Sequence, residues 1–255
     1  MIEFFVPQKS DLFYSKWSNP LDYPAYIIKR QLNMKPSYLS VNELIRKQNY
    51  WERILKRSGD IFFSIVVIIL GIPGFIFLAV LVKLSSPGPV FYIQERVGRN
   101  YRKFGCIKFR TMQKDADLLL DNLLINSSQM REEYENDFKL RKDPRITPIG
   151  RFLRRSSLDE LPQFLNVLKG EMSVVGPRPI VREELDRYGL SMDEVTSVRP
   201  GLTGLWQVSG RNNLSYKKRV EIDLFYARNR TLILDLEIIL LTIGVLFLPM
   251  DRGAY

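Results

Sequence analysis

Ser157-Leu158-Asp159-Glu160 is where residue types and spacing best support chemistry in this chain. Two adjacent carboxylates follow Arg151, Arg154 and Arg155, which fall at i, i+3 and i+4 and therefore share one helical face. Ser157 and Glu160 also have the spacing of a capping box, in which the hydroxyl accepts from the Glu160 N–H and the carboxylate reaches back. That structural role accounts for one acid. It leaves the adjoining Asp159 and the arginines unexplained. An aspartate beside guanidinium groups at a helix N-terminus suits the handling of a phosphate, and with its pKa depressed it stays ionised and can attack phosphorus. Pro162 limits regular helix there, so an irregular start is expected.

Three further groups could serve a phosphorylated ligand. In Lys108-Phe109-Arg110, read as a strand, the two cations project to one face and could bind a diphosphate; a solvated or headgroup-facing strand is the plain alternative. In Gly176-Pro177-Arg178-Pro179 two prolines fix the backbone around Arg178, whose guanidinium can hold phosphate in bidentate fashion, or can simply be solvated. Gly210-Arg211-Asn212-Asn213 is a polar turn with donors for phosphate or sugar hydroxyls. No G-x-G-x-x-G or P-loop pattern occurs. Histidine is absent and Cys106 is the single cysteine, which excludes imidazole bases, His-ligated metals, Cys-rich zinc sites and an intramolecular disulfide.

These groups need a scaffold, and the chain of 255 residues is 45% hydrophobic and 12% aromatic, enough for a core. Its 38 Lys+Arg against 28 Asp+Glu give a formal charge of +10. Ile61 to Val82 is a run of 22 uncharged residues whose only hydroxyl is Ser64. As a helix it would reach about 33 Å, enough to cross a hydrocarbon core of roughly 30 Å. Pro73 sits at its middle between Gly71 and Gly74, and basic residues flank both ends: Lys56 and Arg57 before, Lys83, Arg96, Arg99, Arg102 and Lys103 after. A kinked helix that enters and leaves by the cytoplasmic leaflet keeps all of them on one side; a single-pass helix with a proline kink is the alternative. The excess charge is an attraction to an anionic phospholipid membrane.

Three parts are expected: an extension over 1–52, a membrane helix kinked at Pro73 over 53–84, and a folded domain over 85–255. In the last, residues 90–93 and 106–109 read as short strands joined by a basic loop, and 113–140 as a charged helix. Two helices are expected around the Asp-Glu pair, with an acidic helix over 181–188. Residues 174–179 and 199–204 read as Gly/Pro turns, and the apolar stretch 238–250 as a core or in-plane helix. The fold class is α+β: a helix-rich, membrane-associated domain with short strands.

The segments KFRTM (Lys108–Met112), DPRIT (Asp143–Thr147), Ser157–Pro179, RPGLTGLWQVSGRN (Arg199–Asn212) and the terminal RGAY stand in the order found in the bacterial sugar transferases. Over residues 53–255 the chain resembles these monotopic phosphoglycosyl transferases, and DFKLRKDPRITPIG and GEMSVVGPRPIV are most similar to the members that transfer galactose phosphate. The resemblance implies Asp159 as nucleophile with Glu160 its partner, Mg²⁺ near the pair with Asp159 as ligand, and Lys108, Arg110, Arg154, Arg178 and Arg211 on phosphate. It implies a UDP-sugar and undecaprenyl phosphate as partners, no nucleic acid, a re-entrant helix broken at Pro73, and a catalytic domain on the cytoplasmic face of the bacterial inner membrane. Where the family often carries Ser-Pro at the break, this chain has Ile72-Pro73. A homodimer is left open. Transfer of glucose phosphate or an N-acetylated sugar phosphate is the nearest alternative, and a non-enzymatic basic scaffold or nucleic-acid binder the more distant one. Against the latter, the basic residues are interspersed with acidic ones.

Overall fold

The computed structural model describes residues 49–137, 140, 142–210 and 214–247. The extension over 1–48, Arg211 and the terminal RGAY lie outside them. Helix α1 (Tyr50–Ser85) carries the apolar run, with Pro73 inside it and helical structure continuing on both sides, where a break was expected. One face of α1 packs on the domain: Phe63, Val67 and Ile68 against the main core, Phe75, Leu78, Ala79 and Val82 against a second cluster with Phe109 and Leu153. The other face, including Phe62, Ile65, Ile69, Ile72, Ile76, Val80 and Leu84, is exposed. Those positions recur at three- and four-residue steps and form one stripe with no polar side chain, a surface suited to lipid. By length and composition α1 is the membrane-helix candidate among the described residues.

Both flanks of the apolar run are tied to the same domain. Before it, the Arg57 guanidinium donates to the carbonyls of Val167 and Leu168 at 2.7 and 3.0 Å. Asp60, buried, accepts from the Ser173 hydroxyl at 2.8 Å and from the Val174 N–H at 3.1 Å. Lys56 bridges Asp60 and Asp235 at 3.3 and 2.9 Å. After it, Arg110 donates to the carbonyls of Ser86 and Pro87. The C-terminal turn of α1 has orphan carbonyls and a negative dipole end, and a guanidinium satisfies both.

Strands β1 (Phe91–Val97) and β2 (Lys103–Phe109) form an antiparallel hairpin with Phe91 opposite Phe109 and Val97 opposite Lys103. It is longer and its loop tighter than the sequence suggests. The charged stretch forms two helices, α2 (Ala116–Asn126) and α3 (Ser128–Asp137), parted at Ser127. Next come α4 (Pro148–Ser156), a 3₁₀ segment (Leu158–Gln163) and α5 (Phe164–Lys169). Of the two stretches read as turns, the first begins inside a three-residue strand and the second contains one. Strand β3 (Ser173–Val175) and strand β4 (Gly201–Thr203) pair in parallel, Ser173 with Gly201 and Val175 with Thr203. Their glycines serve close backbone approach: a Cβ on Gly201 would lie 2.1 Å from the Gly176 nitrogen, and one on Gly176 2.5 Å from the Arg199 oxygen.

The expected acidic helix over 181–188 is a 3₁₀ turn followed by α6 (Leu185–Tyr188), and α7 (Met192–Thr196) leads to β4. Beyond it, α8 (Leu205–Val208), α9 (Tyr216–Asn229) and α10 (Leu232–Phe247) complete the fold. Helix α10 is partly a core helix, with Leu234 and Ile238 fully buried, while Ile233, Leu236, Leu240 and Ile243 are exposed along one side. The main core gathers Phe104 and Cys106 of β2, Phe164 and Val167 of α5, Trp206 of α8, and Ile222 and Tyr226 of α9. The α+β reading holds, with few and short strands.

Candidate active site

The Asp-Glu pair is positioned by α4, and α4 by the DPRIT segment before it. Arg145 clamps Asp143 with two parallel bonds of 2.8 and 2.7 Å, a buried fork-to-carboxylate pair. Thr147 caps α4 by accepting from the Gly150 N–H at 2.9 Å, and Pro148 takes the first helical position. A Cβ on Gly150 would lie 1.9 Å from the Thr111 carbonyl oxygen, so only glycine lets α4 lie this close to the chain leaving β2. Across that contact the Arg154 guanidinium donates to the Thr111 hydroxyl at 2.9 Å.

Ser157 does not form the expected capping box. Its φ of 58° and ψ of 16° are left-handed, its side chain caps nothing, and its N–H closes the end of α4 on Arg154. The residue ends one helix where a start was expected, because two short elements meet at a sharp turn. Glu160 is bound elsewhere: the Lys108 ammonium of β2 holds its carboxylate at 2.7 Å. Enclosure works against the charge of Glu160, but Lys108, then Arg178 and Arg96, outweigh it and hold the carboxyl below its ordinary value.

Asp159 is 7% exposed and its pKa moves opposite to the expectation, up to about 6. Burial is the main cause and the neighbouring Glu160 the second; Lys108 and Arg154 pull the other way without prevailing. No side chain among the described residues donates a hydrogen bond to it, and its own backbone N–H supplies the one that favours the charge. A buried carboxylate with little compensation is costly unless something else meets it. It is therefore the acid of the pair with capacity left for a reactant or a cation.

Arg178 leaves the proline-flanked turn as expected, and its guanidinium stands 5.7 Å from the centre of the Trp206 ring. Arg219 of α9 lies 5.2 Å from the same ring. Arg96, read from sequence as one of the basic residues that follow the apolar run, is buried, donates to the Pro179 carbonyl at 3.0 Å and braces this turn. Asp223 accepts from the Tyr188 hydroxyl at 3.0 Å through one oxygen, the other is buried without a hydrogen-bond partner among the described residues, and burial raises its pKa to about 7. Lys108, Arg154, Asp159, Glu160 and Arg178 thus form one electrostatic group. Arg110 does not join it: its guanidinium serves the end of α1, so Lys108 and Arg110 do not converge on a diphosphate. Arg211 lies outside the described residues. Sequence reasoning missed Arg96, Trp206, Arg219 and Asp223, which no local pattern sets apart.

Mg²⁺ takes one or two carboxylates, substrate phosphate oxygens and water. Asp159 fits such a site: it is a hard oxygen donor, buried, with no competing side-chain donor. Glu160 is already occupied by Lys108, so Asp159 would be the one carboxylate of the pair free to hold such an ion.

The domain thus carries a carboxylate pair among three cations together with one long apolar helix that is a membrane-helix candidate. The chain belongs to the bacterial sugar transferase family, whose description matches residues 51–249. It is 50% identical over 203 residues to an undecaprenyl-phosphate galactose phosphotransferase of Salmonella typhimurium, covering 80% of this chain and 42% of that one. To a UDP-galactose-lipid carrier transferase of Erwinia amylovora it is 44% identical over 231 residues, 91% of this chain and 46% of that one. The exopolysaccharide production protein ExoY of Rhizobium meliloti is 46% identical over 200 residues, 78% of this chain and 88% of that one. The match spans less than half the length of the first two relatives.

Proposed function

We propose that this chain transfers a hexose-1-phosphate, galactose-1-phosphate in the first instance, from a UDP-sugar to undecaprenyl phosphate, as a first membrane step of polysaccharide synthesis. The Asp159 carboxylate attacks the sugar-linked phosphorus; the bond to the bridging oxygen breaks and its electron pair leaves with UMP. A phosphate oxygen of undecaprenyl phosphate then attacks the same phosphorus, the carboxylate is released, and undecaprenyl-diphospho-sugar forms. The observation that carries this reading is the buried Asp159 left without a side-chain donor while cations surround it. Its raised pKa makes it a stronger base and nucleophile than an ordinary carboxylate once ionised. Lys108 keeps Glu160 charged, and Arg154 and Arg178 are placed to neutralise the diphosphate. Mg²⁺ held by Asp159 and the substrate would offset diphosphate charge.

Galactose is favoured by the galactose phosphotransferase and the UDP-galactose-lipid carrier transferase to which the chain is 50% and 44% identical. Helix α1 is proposed to enter and leave by one leaflet, which the attachment of both its flanks to one domain supports. UDP-sugars place that domain on the cytoplasmic side. The test is a panel of UDP-sugars assayed for UMP release with Mg²⁺, with and without undecaprenyl phosphate. UMP released from UDP-galactose before lipid is added, with the phosphosugar retained on the wild-type protein and not on Asp159→Asn, is the expected result. Release that always requires both substrates would overturn the covalent step, and no release from any UDP-sugar would overturn the enzyme.

A further inference from the structure

Two cavities meet at the base of α1, and neither contains a member of the Asp159 group. The inner one, about 90 Å³, has room for a few water-sized groups and is lined by Arg53, Lys56, Arg99, Arg199 and Arg230 with a single carboxylate, Asp60. The outer one, about 450 Å³, shares Arg99 and Arg199 and adds Arg102, Lys103 and Lys169. Its one acid, Glu171, accepts from Asn166 at 2.6 Å.

The acids present are committed to other partners. Asp60 binds Ser173, the Val174 N–H and Lys56, and Asp235 binds Lys56 and Tyr226. The guanidinium bonds observed here run to neutral carbonyls: Arg99 to Ser197, Arg199 to Gly170, Arg230 to Ala227. Such bonds fix geometry and leave the charge in place. Burial, then Arg199, Arg53 and Arg102, hold the Arg99 guanidinium below its ordinary value, and burial with Arg99 and Arg53 does the same to Arg230. Lys56 is paired with Asp60 and Asp235 and Lys103 with Glu95 at 2.8 Å, so among the described residues it is Arg99, Arg199 and Arg230 that gather as like charges in a partly buried cleft with no ion pair.

The cleft also has a definite height. Lys56 precedes the first apolar residue, Ile61, by five positions, or about 8 Å of helix. The headgroup layer beside a hydrocarbon core is roughly 5–8 Å thick on each side. Arginines suit phosphate there, because a guanidinium fork matches two phosphate oxygens.

We propose that the paired clefts around Arg99 and Arg199 form a second anion site, separate from the Asp159 group, that holds a phosphate group at the foot of the membrane helix. The site does not depend on the transfer reaction.

The test is hydrogen exchange on the whole chain purified in a maltoside detergent, which carries no phosphate. One arm adds inorganic phosphate; the other adds phosphatidylglycerol to the micelles. Several-fold slower exchange over residues 97–103 and 197–199 is expected, and the arm that produces it identifies a free phosphate or a headgroup as the source. The same slowing should persist in Arg178→Gln and vanish in Arg99→Gln/Arg230→Gln. No slowing of the wild-type chain in either arm would overturn the proposal, whether or not the double variant folds. Undiminished slowing in a folded double variant would overturn it as well.

Discussion

Asp60 and Asp159 are equally hidden, 5% and 7% exposed, yet their surroundings differ. Asp60 has a donor for both oxygens: a hydroxyl, a backbone N–H and an ammonium. Asp159 faces cations at a distance and keeps one hydrogen bond, from its own backbone. The first arrangement locks α1 to β3, and any displacement of the carboxylate would cost all three bonds. The second leaves a charge under-compensated, which only a ligand can relieve. A fold that can satisfy a buried aspartate so fully at one place and does not at another marks the second for chemistry.

The sharpest way to break this comparison is to neutralise each acid in turn. Asp159→Asn should reduce UMP release by roughly 10⁴-fold or more while the melting temperature stays close to the wild-type value; a stability loss equal to that of Asp60→Asn would erase the distinction. Asp60→Asn should cost about 2–3 kcal/mol in chemical denaturation, because a neutral amide weakens the bonds from Ser173 and the Val174 N–H and leaves Lys56 with Asp235 as its one carboxylate. Gly150→Ala tests whether the site depends on the close approach of α4, and about 1–3 kcal/mol of destabilisation is expected, since its Cβ would meet backbone and not a movable side chain. Lys108→Gln should lower turnover by roughly 10–100-fold and shift the acidic limb of the rate profile upward as Glu160 loses the cation that holds its carboxyl low.

The smallest effect concerns Asp223. Its folded pKa of about 7 lies above the ordinary value of 3.8, so the folded state keeps a proton that the unfolded state has already released. The stability this contributes is complete below about pH 4 and is lost as pH rises toward and through 7. Between pH 6 and 7 the loss should be about 1 kcal/mol. Asp223→Asn should flatten that slope, as read from denaturation midpoints at a series of pH values; an unchanged slope would remove Asp223 as its source.

Much of this was legible in the chain itself. The long apolar helix and the hairpin follow from hydropathy and alternation, and the grouping of Asp159 and Glu160 with Lys108, Arg154 and Arg178 is the one that the family resemblance implied. The parallel pair β3–β4 did not, because three residues among glycines and prolines carry no period, and their partner lies about 28 residues away. Ser157 misled because Ser-x-x-Glu describes a helix start only if the backbone is not already finishing another helix. Alternation put Arg110 on the face of Lys108, but the strand ends at Phe109 and the next side chain turns to the carbonyls of Ser86 and Pro87 just past the end of α1. The charge of Asp159 was read from its near neighbours, whereas burial, a property of the whole fold, governs it.

The short strand β3 has one more consequence. Its first residue, Ser173, grips the membrane helix through Asp60, and Arg178 follows five residues later along the same run of chain. At strand rise that separation is at most about 17 Å, stiffened by Pro177 and Pro179. The anchor is therefore also a ruler. On the proposed function, with α1 in the bilayer, it would fix how far above the lipid tails the guanidinium works, and a carrier whose phosphate rides at another depth would have to be lifted or sunk to meet it.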